Sequence, residues 1–358
     1  MQAENLILSH RGAADNPANR FEKIHLEPDA DWNPDDEIGG RPPGPKTQFF
    51  KDHSQTVIAR NDSPDVGFQA SLNPYRGCEH GCIYCYARPF HEYLGFSAGL
   101  DFESKIMVKE DAPELLREEL SSPKWQPQVI FLSGVTDCYQ PVERKLKLTR
   151  RCLEVLAEFR NSVFIVTKNQ LVTRDIDLLA ELARHRAVSV WLSITTLDSD
   201  LRNVMEPRTS PPAARLAAVR ELAAAGIPVG VNVAPIIPGL TDHETPAILK
   251  AAAEAGATSA GYTVVRLPHA VAPLFENWLQ THFPDRKEKV LNRLRAMHDG
   301  KLYDSRWGKR FGGEGIFAEQ ISRMFQVARR KAGISDVEPE LSTAAFRRPA
   351  GAQLSLFS

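Results

Sequence analysis

Residues 78–85 read Cys78-Glu79-His80-Gly81-Cys82-Ile83-Tyr84-Cys85, and this stretch decides what the rest of the chain has to build. Three residues separate the first two cysteines and two separate the second pair, so three thiols lie on one short loop. Cysteine thiolates hold iron–sulfur clusters, and a cluster of four irons normally takes four of them. The spacing predicts a 4Fe-4S cluster bound by Cys78, Cys82 and Cys85, with one iron open to a small molecule carrying an amine and a carboxylate.

The same cysteines also suit a structural zinc site. Closed zinc sites take four ligands, and His80 or His91 would complete the set. A non-catalytic binding module that carries a cluster or zinc is therefore the alternative from another functional class. A motif of this kind stays a hypothesis until its structural context agrees with it.

The composition is that of a globular protein with a sizeable core, because 42% of the 358 residues are hydrophobic and 25% are charged. A net charge of -1 excludes a global basic field, so contact with nucleic acid would need a local groove. Five cysteines, three of them in one loop, indicate a reducing compartment instead of a disulfide framework. Neither a leader nor a run of about 18 apolar residues occurs, so we expect a cytoplasmic protein without membrane contact.

Short apolar runs alternate with helical stretches along the chain. Counting the strand that leads into the cysteine loop, they predict six strands, near residues 68–72, 129–132, 163–166, 188–192, 229–233 and 262–265. Helices are expected near residues 143–160, 174–185, 211–225, 242–255, 286–298 and 314–332. Strands joined by helices form parallel sheets, and six βα units are two short of a closed barrel. The sequence predicts an α/β fold, a partial (β/α)6 TIM-like barrel.

The pattern also divides the chain. Residues 1–48 are rich in proline and lack an apolar period, so we expect a flexible arm there. Residues 49–268 carry the barrel, and residues 269–335 carry a C-terminal helical extension that closes its open side. Residues 336–358 are expected to be a flexible tail.

Polar residues follow several predicted strands. Thr136 and Asp137 come after the second strand, Lys168 after the third, and Ser193 at the end of the fourth, with Arg208 beyond it. Ligands of such sheets bind at the carboxyl ends of the strands, and the cysteine loop follows the first strand directly. We expect these side chains to meet there. For Thr136 and Ser193 the alternative is a helix cap.

The loop, with the aromatic Tyr84 before its last cysteine, resembles the CxxxCxΦC signature of radical-SAM enzymes. Over residues 55–330 the chain looks like the spore photoproduct lyase branch of that superfamily. The residues that carry this likeness are Thr136-Asp137, Thr167-Lys168, Ser193, Glu206-Pro207-Arg208-Thr209-Ser210 and Val233-Ala234-Pro235-Ile236. The resemblance implies S-adenosyl-L-methionine as cofactor, its cleavage to a 5'-deoxyadenosyl radical, and a reductant protein of the flavodoxin or ferredoxin type. It implies damaged or modified DNA as substrate, with RNA or a protein side chain as alternatives.

The resemblance also gives the polar residues roles toward S-adenosylmethionine, whose buried polar groups must each find a partner. Lys168 is expected to neutralise its carboxylate, with Arg208 as a second candidate. Ser193 would bond the carboxylate or the ribose, and Val264 would offer backbone groups to adenine. The remaining residues of this predicted cofactor site are Tyr84, Thr136 and Asp137, the last two as acceptors for the amine.

Cys138 lies at the mouth of the second strand, where a thiol can donate a hydrogen atom to a substrate radical. Spore photoproduct lyases place their donor cysteine just before a Ser-Asp pair, whereas Val135 precedes Thr136 here. The chain departs from that pattern, and Cys138 is the candidate donor. Cys152, in the helix before the third strand, is expected to be a core residue.

DNA binding predicts basic side chains around the mouth of the barrel. The candidates are Arg76, Arg88, Lys105, Lys168, Arg208 and Arg266.

The run Gln353-Leu354-Ser355-Leu356-Phe357 resembles the pentapeptide by which bacterial replication and repair proteins dock on the DNA sliding clamp. In that mode Gln353 fixes the register by hydrogen bonding, while Leu354, Leu356 and Phe357 fill an apolar cleft. The alternative is that the tail folds back onto its own barrel. A sliding clamp is therefore a predicted partner, and it favours DNA as the substrate.

Overall fold

The structure, a computed structural model, describes Leu8 and residues 10–21, 44–337 and 340–349. In these residues the strands are β1 Gln48–Lys51, β2 Ile58–Arg60, β3 Ala70–Leu72, β4 Tyr75–Arg76, β5 Lys105–Val108, β6 Ile130–Leu132, β7 Val163–Thr167, β8 Val188–Ser193, β9 Val229–Ile236 and β10 Ser259–Val264. The helices are α1 Leu100–Ser104, α2 Ala112–Ser121, α3 Glu143–Leu146, α4 Leu148–Phe159, α5 Ile176–Arg184, α6 Ser199–Met205, α7 Pro212–Ala224, α8 Thr245–Glu254, α9 Val271–His282, α10 Pro284–Met297 and α11 Gly315–Lys331. Short 3-10 helices span Arg88–Leu94, Gln170–Asp175 and Asp242–Glu244.

The main sheet has seven strands in the order β10-β9-β8-β7-β6-β3-β2. From β3 to β10 all neighbouring strands are parallel, and β2 pairs antiparallel with β3 at one edge. The six predicted parallel strands are therefore confirmed, and the sheet is an open, partial barrel. Their hydrophobic side chains supply the buried face that a parallel sheet shares with its helices.

The two faces of the sheet differ. Along β7, Val163 and Ile165 are fully buried, whereas Phe164 and Val166 on the opposite face stay partly exposed. Aromatic rings on that second face stack across the strands, with centroids 5.5 Å apart for Phe131 and Phe164 and 5.7 Å apart for Phe164 and Trp191. At Gly230 a Cβ atom would lie 2.5 Å from the Trp191 ring, so only glycine fits beside it.

The gap between the first and last strands is bridged by the segment between α10 and α11. The Asp65 carboxylate, in the turn between β2 and β3, accepts from Arg310 Nε at 2.8 Å. Val264 N at the end of β10 donates to Phe311 O at 2.8 Å. We expected helices to close the open side of the barrel, but at these contacts a loop joins the two edges.

Several elements lie outside the predicted pattern. The predicted helix at 143–160 is divided into α3 and α4 at Lys147, whose φ of 53° interrupts the helical backbone. The helices α2, α6 and α9 and the strand β5 were not predicted. The strand β5 lies between β1 and β4 in a second, three-stranded sheet, and β4 leads into the cysteine loop. No helix in the described ranges is long and apolar enough to cross a membrane.

Parts of both predicted flexible ends pack on the barrel. In residues 10–21, the amides of Gly12 and Ala13 donate to the Glu103 carboxylate at 3.0 and 2.8 Å. In residues 340–349, Arg347 N donates to Phe159 O at 2.9 Å. Both segments thus form hydrogen bonds with the barrel, and the flexibility of the two ends stays a prediction. The predicted clamp motif, residues 353–357, lies outside the described residues.

Candidate active site at the carboxyl edge of the sheet

The cysteine loop is held by a buried arginine. Arg88 Nε donates to Cys82 O at 3.0 Å, and its Nη2 pairs with Glu103 at 2.5 Å, both side chains being fully buried. The loop begins at Gly77, whose φ of 78° favours glycine, and Cys78 N donates to Phe102 O at 2.9 Å. The backbone path of the loop is therefore fixed by groups outside it.

The three thiols lie close enough to affect one another. Burial and the Cys78 sulfur raise the pKa of Cys85 to about 11. Burial and the Glu206 carboxylate raise the pKa of Cys82 well above its usual range. A bound metal centre replaces such protons with its own charge, so this set of thiol donors fits a cluster.

No three His, Cys, Asp or Glu side chains in the described residues converge on a position for a single metal ion. A cluster has no such requirement, because its thiolates bind separate irons. His80 is engaged on both ring nitrogens, with Nδ1 at 3.3 Å from Asp137 and Nε2 at 3.2 Å from Asn169. His91 packs edge-on against Phe102 at 5.6 Å, and its buried Nε2 has no hydrogen-bond partner.

Asp137 joins the second and third strand ends to the cysteine loop. Its carboxylate accepts from Thr167 Oγ1 and from Lys168 N, both at 2.8 Å. Burial alone would lower the pKa of His80, but Asp137 and Cys78 raise it to about 9. Asp137 is therefore occupied by partners from the protein. Thr136 donates to Gly77 O at 2.7 Å, so it fixes the backbone directly before Cys78.

Lys168 lies in a polar cluster beside Tyr84. Its Nζ is 3.1 Å from the Glu206 carboxylate, 2.7 Å from Ala234 O and 5.6 Å from the centre of the Tyr84 ring. The Tyr84 hydroxyl donates to the same Glu206 carboxylate. The structure thus brings Lys168 and Tyr84 together, as predicted, through a carboxylate that the sequence argument had given no role.

Glu206 pairs with two cations of the site, Lys168 and Arg215. It accepts from Thr195 Oγ1 at 2.7 Å and forms an ion pair with Arg215, both partners being 1% exposed. Burial alone would raise the pKa of Glu206, but the charges of Arg215 and Lys168 hold it well below its usual range. The carboxylate is therefore ionised and fixes the position of Lys168.

Arg208 is paired on the other side of the loop. Its Nη2 donates to Glu79 at 2.9 Å, and Glu79 in turn accepts from Val142 N at 2.6 Å. Gln140 accepts from Glu79 N at 2.9 Å and donates to Gly77 O at 3.2 Å. Arg208 thus braces the cysteine loop against the segment after β6.

The roles predicted for Ser193, Val264 and Cys138 stay predictions, and each of these residues has contacts within the protein. Ser193 is buried, and its carbonyl accepts from Arg215 at 2.8 Å. The Val264 amide, expected to be offered to adenine, is taken by Phe311 O. Cys138 is fully buried, and its pKa is raised by burial and then by Asp137, with Glu143 and Asp175 adding to it. No described contact joins its thiol to the cysteine loop, so its donor role stays a prediction without support from its position.

Four residues that sequence reasoning missed complete the site: Glu79, Gln140, Thr195 and Arg215. Glu206 belongs to the segment 206–210, which carries part of the family resemblance, but the sequence analysis assigned no role to its carboxylate. Glu79 lies inside the cysteine loop, directly after Cys78, and a charged residue at that place was a signal that could have been used. The others are common residue types in helices and strand ends, and only their contacts reveal them.

The sequence profile of the radical SAM superfamily matches residues 72–252, about half of the chain, from the end of β3 into α8. The chain belongs to the radical SAM superfamily. Enzymes of this superfamily use S-adenosylmethionine together with an iron–sulfur cluster, which agrees with the predicted cofactors. An uncharacterized protein of Mycobacterium tuberculosis is 38% identical over 64% of this radical SAM chain and 67% of its own length. An uncharacterized protein of Methanocaldococcus jannaschii is 32% identical over 51% of this chain and 66% of its own.

Solved structures with a similar fold include spore photoproduct lyases. One variant superposes with a TM-score of 0.52 at 17% identity, covering 79% of this chain and 77% of the lyase. A spore photoproduct lyase complexed with dinucleoside spore photoproduct gives a TM-score of 0.51 at 16% identity over the same shares. At this identity the likeness concerns the fold.

Proposed function

We propose that this radical SAM protein binds a 4Fe-4S cluster through Cys78, Cys82 and Cys85, cleaves S-adenosylmethionine reductively, and acts on damaged or modified DNA. The observation that carries the proposal is the cysteine loop at the carboxyl edge of the sheet, with Lys168 held beside Tyr84. When bound and reduced, the cluster supplies the electron that converts S-adenosylmethionine into methionine and a 5'-deoxyadenosyl radical.

The residues of the chain position this chemistry. Lys168 carries an ammonium group that is only 15% exposed and already paired with Glu206, and the carboxylate of the incoming cofactor would be its second anionic partner. Glu206 fixes the position of that ammonium through an ion pair of 3.1 Å. The Arg88 guanidinium and Thr136 hold the loop backbone that carries the thiols. Enclosure of these groups limits access of water to a reactive intermediate.

DNA as the substrate is supported by the fold and by the aromatic and basic groups near the loop. The solved spore photoproduct lyase with a similar fold is complexed with a dinucleoside photoproduct. In this chain Tyr86, directly after Cys85, is 40% exposed, and an exposed ring beside a cation is the usual arrangement for stacking a base.

The substrate proposal predicts turnover on ultraviolet-irradiated DNA. The reconstituted, reduced protein is expected to lower the photoproduct content of irradiated thymidine dinucleotide or oligonucleotide, measured by liquid chromatography and mass spectrometry. Unirradiated oligonucleotide is the matched control. Cleavage of S-adenosylmethionine that is accelerated by RNA or a peptide and by neither DNA sample would contradict the DNA assignment while leaving the radical chemistry intact.

We propose a sliding clamp as partner through residues Gln353, Leu354, Leu356 and Phe357, on the likeness of this run to clamp-binding pentapeptides. The full-length protein is expected to bind purified bacterial clamp with a Kd on the order of 1 µM. Changing Leu356 and Phe357 together to alanine should remove the binding measured by calorimetry, because these two side chains fill the apolar cleft. Changing the neighbouring Ser355 to alanine is the control. Equal binding by the double variant would exclude this partner.

A further inference from the structure

Among the candidate DNA contacts at the mouth of the site, Arg266 has no acidic partner in the part of the chain that the structure describes. Of the six basic side chains named above as candidate DNA contacts, five are paired with a carboxylate. The pairs are Arg76–Asp52 at 2.7 Å, Arg88–Glu103 at 2.5 Å, Lys105–Asp101 at 3.1 Å, Lys168–Glu206 at 3.1 Å and Arg208–Glu79 at 2.9 Å. Among the described residues, the guanidinium of Arg266 has neither an ion pair nor a hydrogen bond.

Arg266 is nonetheless held firmly in place. Its guanidinium carbon lies 4.3 Å from the centre of the Tyr86 ring and 4.5 Å from the centre of the Phe311 ring. The Tyr86 hydroxyl donates to Gly134 O at 2.8 Å, which fixes that ring between the cysteine loop and the segment after β6. Phe311 is fixed through its carbonyl, which accepts from Val264 N at 2.8 Å. The two rings therefore fix the orientation of the guanidinium. Its N–H groups have no acceptor among the described residues.

The N–H groups of Arg266 are accessible to a ligand, because the residue is half-buried and none of its nitrogens is a buried atom without a partner. Burial lowers the pKa of Arg266 and Arg310 adds to this effect, while Tyr86, Tyr303 and Asp65 oppose it. Arg310 is neutralised by Asp65, so that acid is already engaged. An arginine stacked on aromatic rings keeps its planar fork of donors available for a phosphate or carboxylate.

We propose that Arg266, framed by Tyr86 and Phe311, binds a backbone phosphate of a nucleic-acid substrate at the mouth of the site. This assignment rests on the proposed DNA function. It names the contact by which the site would prefer a nucleic acid to a peptide. The position suits it, because Tyr86 directly follows Cys85 and its 40% exposed ring can stack a base beside the bound phosphate. A peptide carboxylate offers the fork an anion but gives the Tyr86 ring no base to stack on.

The experiment measures binding of a short, dye-labelled single-stranded oligothymidylate to the cluster-loaded protein as salt rises from about 50 to 200 mM. Removing one phosphate contact makes the slope of log K against log salt less steep by about 0.7. Arg266→Gln is expected to show this change and to weaken binding about tenfold at low salt. Arg266→Lys should keep the slope but bind more weakly than wild type, because it retains charge and loses the planar fork.

Arg151→Gln is the matched control, since it removes the same charge from a residue outside the candidate contacts that is paired with Glu114 at 2.7 Å. It should leave the slope unchanged. Far-UV circular dichroism, the thermal midpoint and the cluster absorbance establish that each variant is folded. An unchanged slope and affinity in Arg266→Gln would overturn the Arg266 assignment while DNA binding stands. Wild type that binds no oligonucleotide, or binds polyglutamate equally well with the same slope, would overturn the nucleic-acid assignment together with this contact.

Discussion

Changing Cys82 to alanine is expected to abolish the iron–sulfur absorbance of the protein and its reductive cleavage of S-adenosylmethionine. The reason is the number of ligands: the loop offers three thiols, and losing one leaves two, too few to hold a cluster with one open iron. Anaerobic reconstitution with iron and sulfide, followed by absorption spectroscopy and detection of 5'-deoxyadenosine, measures both effects. Activity should fall to the level without enzyme.

Cys152→Ala is the matched control for this experiment. Cys152 is fully buried in α4, in the main hydrophobic core, so its loss should cost stability and leave the cluster and cleavage in place. Cys138→Ala tests the proposed hydrogen donor in the same series. This variant should still cleave the cofactor, and it should lose product formation from the substrate. If the wild-type protein stays colourless after reconstitution and binds one equivalent of zinc, the proposed radical mechanism is contradicted.

Changing Glu206 to glutamine is expected to lower the free energy of unfolding by about 3–5 kcal/mol. The substitution leaves Arg215, which is 1% exposed, and Lys168, which is 15% exposed, without their shared carboxylate. It should also weaken binding of S-adenosylmethionine, because Lys168 loses the ion pair that fixes its position. Urea unfolding of the apoprotein and calorimetry with the cofactor measure the two effects separately.

Glu158→Gln provides the comparison. Glu158 pairs with Arg117 at 2.5 Å, but its side chain is 38% exposed and that of Arg117 is 47% exposed. Exposed pairs contribute less than about 1 kcal/mol. Similar losses of stability in both variants would show that the burial of the Glu206 cluster has no special importance.

The pH dependence of stability offers a second test of Glu206. The folded-state pKa of Glu206 lies below its unfolded value of about 4.3. Its ion pairs therefore contribute fully above that pH, and the contribution is lost as the pH falls toward the folded-state value. Wild-type apoprotein should lose stability below about pH 4.3 more steeply than Glu206→Gln, by up to about 1.4 kcal/mol per pH unit. Parallel curves would contradict the assigned ionisation.

The sequence by itself determined the cofactor loop and the architecture. The thiol spacing of Cys78, Cys82 and Cys85 is a local property, and so is the alternation of apolar runs with helical stretches that predicted six parallel strands. The rule that ligands bind at the carboxyl edge of such a sheet then placed Lys168 near the loop. These conclusions needed no long-range contact, because hydrophobic periodicity and ligand spacing are both patterns that extend over only a few consecutive residues.

The tertiary structure decided which charges are already neutralised. Lys168 and Glu206 are separated in sequence by α5, β8 and α6, yet their charged groups lie 3.1 Å apart. The same holds for Arg208 and Glu79, at 2.9 Å, whereas Arg266, stacked on Tyr86, has no acidic partner among the described residues. Sequence alone could propose six basic residues for the mouth of the site. It could not rank them, because the electrostatic availability of a charge depends on neighbours that only the folded chain brings together.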